Sequence, residues 1–258
     1  MRLLNPDCSL DDFFERVHNE KSLLLLDYDG TLSPFQIDPQ KAVPYEGIME
    51  RIARIMCFSR VIIISGRALD SLLPLLDFPE LPEIWGSHGG ERLDVHGRRT
   101  RMQFSESQVE ALNQGKAIGH KYALPGRCEE KPFSVAVHWR GLPDRERLEI
   151  ASKVCEEWDA LAREHDIEVH DFDGGIELRP KGMNKGGAVR SILQSAKESV
   201  IAYLGDDATD EEAFSVLADK GLKVLVRQHI RPTQADIQLI PPKELLAFFD
   251  RWLDSVER

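Results

Sequence analysis

The sequence predicts an α/β fold, a parallel-sheet core with helices on both faces, into which a smaller α/β layer is inserted. Three observations predict it. Short apolar runs at 23–26 and 61–64 end in Asp or Ser, as strands buried on both faces of a parallel sheet do. Amphipathic stretches lie between such runs, the alternation that joins parallel strands through helices. Between Thr100 and Pro180 the pattern changes to long helical stretches and alternating strands.

Taken in order, residues 23–27 read as the first strand, a helix near 47–56 leads to the second at 61–65, and 83–86 reads as the third. In the changed region 105–122 is helical, 134–140 alternates as a strand, 143–165 is helical again, and strands at 167–172 and 176–179 complete the layer. Strands at 200–205 and 222–226 and a closing helix over 242–256 return to the core. The core is expected over 1–100 and 181–258, with a cap inserted over 101–180. Within 134–140 a period of two places Val135, Val137 and Trp139 on one face and Ala136, His138 and Arg140 on the other.

Composition narrows the function. The 258 residues carry 33 Lys plus Arg against 44 Asp plus Glu, a net charge of −11, the wrong sign for gripping nucleic acid through its phosphates. A small substrate is expected, and an anionic one requires a metal ion and a few placed cations to overcome the repulsion. Cys8, Cys57, Cys128 and Cys155 lack paired spacing, so neither a zinc site nor a disulfide framework is expected, and reduced thiols point to a cytoplasmic protein. No apolar run has membrane-spanning length and the first residues lack a signal peptide's pattern, so no membrane association is expected. No protein partner can be inferred.

Four segments carry the chemistry. Asp27-Tyr28-Asp29-Gly30-Thr31 follows the first strand, at the carboxyl end where open α/β sheets bind ligands. A carboxylate there can attack phosphorus while its neighbour two residues on handles the proton; by itself, Asp-x-Asp-Gly is also a common turn or calcium-loop fragment. In Ile64-Ser65-Gly66-Arg67 a hydroxyl ends a strand before a helix expected at Ala68, whose amino terminus offers N–H groups to an anion, although Ser65 can equally be an ordinary cap. Arg179-Pro180-Lys181-Gly182-Met183-Asn184-Lys185-Gly186-Gly187 is a basic, glycine-rich entry to a helix. One lysine there can neutralise a phosphoryl group while others remain solvated, and Lys185 is favoured by its place at the helix start. Gly205-Asp206-Asp207-Ala208-Thr209-Asp210 again sets carboxylates after a buried strand, and Mg²⁺ needs only one or two of these besides water and substrate oxygens.

In order, spacing and strand context these segments resemble the four signature motifs of the haloacid dehalogenase superfamily, which implies a Rossmann-like core and phosphoryl transfer through an aspartyl intermediate. The resemblance makes Asp27 the nucleophile and Asp29 the acid and base. Mg²⁺ is then held by Asp27, the carbonyl of Asp29 and Asp206, with Asp207 and Asp210 in support, and the phosphate by Ser65, Gly66 and Lys185. Longer forms are similar to the trehalose-6-phosphate phosphatases: Gly86-Ser87-His88-Gly89-Gly90-Glu91, Lys131-Pro132-Phe133-Ser134-Val135-Ala136-Val137-His138-Trp139-Arg140 and Glu177-Leu178-Arg179-Pro180. That likeness implies a sugar-phosphate substrate gripped by cap residues Glu129, Lys131, Arg140 and Glu177, with Arg67, His88 and Glu91 also facing it. Lys131 and Arg140 can alternatively solvate the outside of a small sheet, and His88 can be structural. Asp173-Gly174 stands where the family often carries basic residues. Phosphates of sucrose, glucosylglycerol or mannosylglycerate are therefore alternative substrates, and a non-catalytic sugar-phosphate sensor is the alternative from a different class.

Overall fold

A computed structural model describes residues 1–36, 38–172 and 174–258. The chain divides into two compact units, Met1–Arg101 with Asn184–Arg258, and Met102–Met183.

The first unit begins with β1 (Arg2–Leu3), α1 (Leu10–Asn19), β2 (Ser22–Leu26), α2 (Ile48–Ile55), β3 (Arg60–Ile64), α3 (Leu69–Leu72), β4 (Glu83–Gly86), β5 (Glu91–Leu93) and β6 (Arg99–Arg101). The second unit contains α4 (Glu106–Tyr122), β7 (Cys128–Glu130), β8 (Val135–His138), α5 (Asp144–Glu164), β9 (Ile167–Phe172) and β10 (Gly175–Pro180). The chain then completes the first unit with α6 (Lys185–Ser195), β11 (Val200–Gly205), α7 (Ala208–Leu217), β12 (Leu222–Val226), β13 (Ile237–Leu239) and α8 (Lys243–Val256).

The large sheet runs β1-β13-β12-β11-β2-β3-β4-β5-β6. Its six strands from β13 to β4 are parallel, and β1, β5 and β6 are antiparallel edges. Every residue of β2 is buried, and alternate leucines serve opposite faces. Leu24 and Leu26 pack with Phe14 of α1, Ile48 and Ile52 of α2 and Phe248 and Trp252 of α8. Leu23 and Leu25 pack with Val189 and Ile192 of α6 and Phe214 of α7. Helices therefore cover both faces, each buried leucine being worth about 1.5–3 kcal/mol.

The order of connections positions the chemistry. From β2 the chain builds outward through β3 and β4, and it returns on the other side through β11. The strand order reverses between β2 and β11, so a crevice opens at their carboxyl ends. Both ends carry aspartates, Asp27 and Asp206.

In the second unit a four-stranded antiparallel sheet runs β7-β8-β10-β9. Val135, Val137, Ile176 and Leu178 pack one face onto Ala111 and Leu112 of α4 and Val154 and Trp158 of α5. Close helix approach needs Gly115, where an added Cβ would lie 2.3 Å from Leu178. Glu129, Ala136 and Glu177 stand in one cross-strand row, on the face opposite that apolar layer. No helix among the described residues is long and apolar enough to cross a membrane, and the four cysteines are unbridged.

Candidate active site

Asp27 leaves β2 with its N–H donating to the Leu204 carbonyl of β11 at 2.9 Å, so main-chain pairing continues up to the carboxylate. Its side chain is buried. Oδ1 accepts from Lys185 Nζ at 2.6 Å and Oδ2 from Thr31 Oγ1 at 2.9 Å. Lys185 is the first residue of α6, whose N-cap Asn184 accepts from the Gly187 N–H. From there Lys185 also donates to Asp210 Oδ1 at 2.8 Å.

Asp210 is wholly buried and has no unused oxygen. Tyr203 donates to Oδ1 at 2.7 Å, and the N–H groups of Asp206 and Asp207 donate to Oδ2 at 2.9 and 3.0 Å. Asp207 caps the start of α7 by accepting from Thr209. Asp206 faces the first loop across a glycine with φ of +83°, since a Cβ on Gly30 would come within 2.2 Å of Asp206 Oδ2. Only glycine allows both that backbone and that approach.

One ammonium thus lies among several carboxylates. Burial pushes the Asp27 carboxyl well above its ordinary range; Lys185 opposes this, and Asp210 and Asp206 add to it. Burial, then Asp210 and Asp207, push Asp206 up to about 7. Burial works against the Lys185 ammonium, yet Asp210 and Asp27 hold it well above its usual value. Oxygens of Asp27, Asp206 and Asp210 all lie within 4.8 Å of one another. Such an oxygen-only set with surplus negative charge fits a hard divalent cation. Asp27 and Asp206 are the residues able to hold it, because Asp210 is occupied by its four donors.

Asp29 lies just past Asp27 and is gripped by Arg67, whose Nε and Nη2 donate to the two carboxylate oxygens at 2.6 Å each. Arg67 Nη1 donates to the Pro39 carbonyl at 2.7 Å. Arg67, expected to face substrate, has its guanidinium turned onto Asp29 in this structure. Ser65, at the end of β3, is buried, with Oγ accepting from the Arg67 N–H at 3.1 Å. His88 has φ of 54° and holds its ring against Gly66, where a Cβ would lie 2.7 Å from it.

The helix expected at Ala68 has its first N–H taken by Glu91, the residue expected to face substrate. The helix starts at Leu69 and has four residues, and the Leu69 N–H donates to Glu91 Oε2 at 3.0 Å. Ser87 also donates to Oε2 at 3.3 Å, and Arg101 lies 3.3 Å from Oε1. Glu91 is buried, so it ties the loop after β4 to α3. Sequence reasoning missed Thr31 and Tyr203. Thr31 lies four residues from Asp27 in the same segment, and Tyr203 is a hydroxyl inside an otherwise apolar strand, signals that point to partners close by.

In the second unit Glu177 is 5% exposed, and its Oε1 accepts from Lys131 at 2.9 Å and Ser134 at 2.7 Å. Glu129 pairs with His138 at 2.8 Å. Arg140 lines a cavity of about 430 Å³ with Gly126, Arg127, His138, Phe172 and Gly174. Gly174 has φ of +90°, and its carbonyl accepts from Trp139 and Arg140 N–H at 2.8 and 3.1 Å. A side chain is therefore strained at that position, while Asp173 lies outside the described residues.

Residues 25–240 match the family model described as Trehalose-phosphatase. The chain belongs to the trehalose-phosphatase family. It is a phosphatase, with the haloacid dehalogenase-like fold and a separate small sheet. It is 28% identical to a protein of Oryza sativa subsp. japonica named probable trehalose-phosphate phosphatase 2, over 94% of this chain and 71% of that one. It is 32% identical to the trehalose-phosphate phosphatase of Mycobacterium marinum, over 88% of this chain and 60% of that one. Aspergillus fumigatus trehalose-6-phosphate phosphatase has the same fold, with a TM-score of 0.78 at 22% identity over 97% of this chain and 99% of that one. Within this trehalose-phosphatase chain the buried Asp27–Lys185–Asp210 cluster links the end of β2 with the starts of α6 and α7.

Proposed function

We propose that this chain hydrolyses trehalose 6-phosphate to trehalose and phosphate, with Asp27 as nucleophile and one Mg²⁺ held by Asp27, Asp206 and the Asp29 carbonyl. The observation that carries the reading is the desolvated Asp27 carboxylate, fixed by Lys185 at 2.6 Å and Thr31 at 2.9 Å beside Asp206. A bound Mg²⁺ supplies positive charge to the phosphoryl oxygens and keeps Asp27 ionised.

Asp27 Oδ attacks phosphorus and the bond to the sugar oxygen breaks, leaving an aspartyl phosphate and a sugar that needs a proton. Once its pair with Arg67 opens, Asp29 delivers that proton, then removes one from the water that attacks the same phosphorus and frees Asp27 with inorganic phosphate. Lys185 offsets phosphoryl charge, and Ser65 and the Gly66 main chain hold phosphate oxygens. Asp207 and Asp210 fix the turn that presents Asp206. Glu177, Glu129, Lys131 and Arg140 bind sugar hydroxyls, carboxylates accepting and cations donating. The names of the related phosphatases favour trehalose 6-phosphate over the other sugar phosphates, and the unbridged cysteines are in keeping with a reducing, cytoplasmic compartment.

Phosphate release from trehalose 6-phosphate and from sucrose, glucosylglycerol and mannosylglycerate phosphates, with and without Mg²⁺, tests substrate and metal together. The largest kcat/KM is expected for trehalose 6-phosphate, only with Mg²⁺. A faster reaction on another member overturns the substrate, undiminished activity in chelator overturns the metal, and ligand binding without turnover identifies a sensor.

A further inference from the structure

After β12 the chain passes through residues 227–236 before entering β13, and two arginines of this stretch turn back onto the turn that carries Asp206. Arg231 Nε donates to the Asp206 carbonyl at 3.2 Å, and its Nη2 donates to the Asp207 carbonyl. Its Nη1 donates to Glu211 Oε1 at 2.6 Å and to the Pro232 carbonyl at 2.8 Å. Arg227 Nη1 also donates to the Asp206 carbonyl at 3.3 Å. The far side of Glu211 is fixed as well, since Oε2 accepts from the Gln234 N–H at 2.8 Å. The Arg231 side chain is 17% exposed, which leaves it little freedom.

Apart from those to Glu211, these bonds go to main-chain carbonyls, while the Asp206 carboxylate has no hydrogen-bond donor among the described residues. Its direction is therefore set by its backbone. That backbone is held on its N–H side by Asp210 and on its carbonyl side by the two guanidinium groups. Arginine suits this place because four acceptors lie around one planar fork, whereas a lysine is a point charge on a flexible stem.

We infer that Arg231, assisted by Arg227, is a positioning residue that fixes the Asp206–Asp207 main chain so that the Asp206 carboxylate meets Asp27 at the cation site. The inference rests on the Mg²⁺ reading proposed above. Groups that orient metal ligands from behind change affinity by about 10–100-fold when lost.

Charge and positioning predict opposite signs. Removing a nearby cation strengthens Mg²⁺ binding if Arg231 acts by charge alone, and weakens it if Arg231 holds the ligand in place. Calorimetric titration of the whole chain with MgCl₂, without substrate, reads the difference. In Arg231→Ala and Arg231→Lys the dissociation constant is expected to rise about 10-fold or more, the second variant keeping the charge and losing the fork. Arg227→Ala, which removes the second donor to the Asp206 carbonyl and a cation with it, is expected to give a smaller rise in the same direction and serves if the Arg231 variants do not fold. Arg51→Ala, which removes a surface ion pair with Asp250, is the control and is expected to leave Mg²⁺ affinity unchanged. Unchanged or tighter Mg²⁺ binding in the folded Arg231 variants, with normal binding by the natural chain, overturns this inference alone. Failure of the natural chain to bind Mg²⁺ overturns the metal reading and this inference with it.

Discussion

The two polar regions of this chain are built on different terms. At the carboxyl ends of β2 and β11 the titratable groups are buried and shared: Lys185 serves Asp27 and Asp210, 158 and 25 residues away, and Asp210 serves Tyr203 and two N–H groups besides. On the small sheet the groups pair more simply and stay wetter, with Glu129 and His138 52% and 35% exposed and Lys131 35% exposed. A change in the first region propagates through a network, where contributions are not additive. A change in the second removes one contact from a substrate-sized surface. The first region is therefore expected to govern turnover and the second KM.

The largest effect expected is that of Asp27→Asn, which preserves shape and removes the proposed nucleophile. Turnover should fall by roughly 10⁴-fold or more, with the substrate KM little changed. The same substitution removes a buried carboxylate whose burial opposes its charge, so the metal-free protein should melt at a higher temperature than the natural chain. Equal turnover in the variant would rule out the nucleophile. A lower melting temperature would show that Asp27 supports the fold instead of straining it.

Lys185→Met is expected to come next, and on stability to exceed it. Without the ammonium, Asp27 and Asp210 are left buried without their cation, a loss of about 3–5 kcal/mol for breaking a buried pair from one side. The melting temperature should drop by about 10 °C. A drop of under about 2 °C would mean that the cluster is not held together by this charge.

How far these regions were legible in the sequence follows the same division. β4, β11 and β12 have the expected bounds and β2 and β3 lie within a residue of them, because burial on both sheet faces leaves mostly apolar runs. β1 and β6, Arg-Leu and Arg-Thr-Arg, are two and three exposed residues at or next to a sheet edge, with no apolar period to read. β7 and β13 are three residues each and were missed for the same want of length. In the site, place along the chain was enough to single out Asp27, Lys185 and Asp206, since each follows a strand or opens a helix. Partner choice was not legible. Arg67 meets Asp29 across 38 residues and Glu91 meets Leu69 across 22, and only the packed fold decides that those side chains turn inward.

The pH dependence of Mg²⁺ binding ranks third. Asp206 is pushed up to about 7 from 3.8, so the folded metal-free state holds a proton there that the unfolded chain has lost. Its contribution to stability therefore declines as pH rises from about 4 to about 7. At the proposed site Mg²⁺ competes with that proton, so its affinity should increase as pH rises through about 7, by about 30-fold from pH 5.5 to pH 8. Calorimetric titration at the two pH values checks this, and an affinity independent of pH would remove Asp206 from the ligand set.

The smallest effects belong to the sheet face, and they test the comparison from its other side. Lys131→Ala removes one donor to Glu177 while Ser134 still donates to it, so Glu177 is not left bare and the fold should hold. If the face binds sugar, KM should rise about 10-fold, the scale of one charge-assisted contact of 1.5–3 kcal/mol partly replaced by water, with kcat changed less than about 3-fold. Glu129→Gln should do less still, because the hydrogen bond from His138, which holds Glu129 below the ordinary carboxylate range, belongs to a half-exposed pair that water screens. That pair's support of the fold is present above the ordinary carboxylate pKa and fades as pH falls through the lowered one, so above pH 6 the natural chain should be slightly the more stable of the two, and the difference should vanish in acid. Steady-state kinetics on trehalose 6-phosphate separates these cases: a fall in kcat as large as that of a core variant, with KM unmoved, would mean that the small sheet takes part in the chemistry, and the division between turnover and recognition would fail at that point.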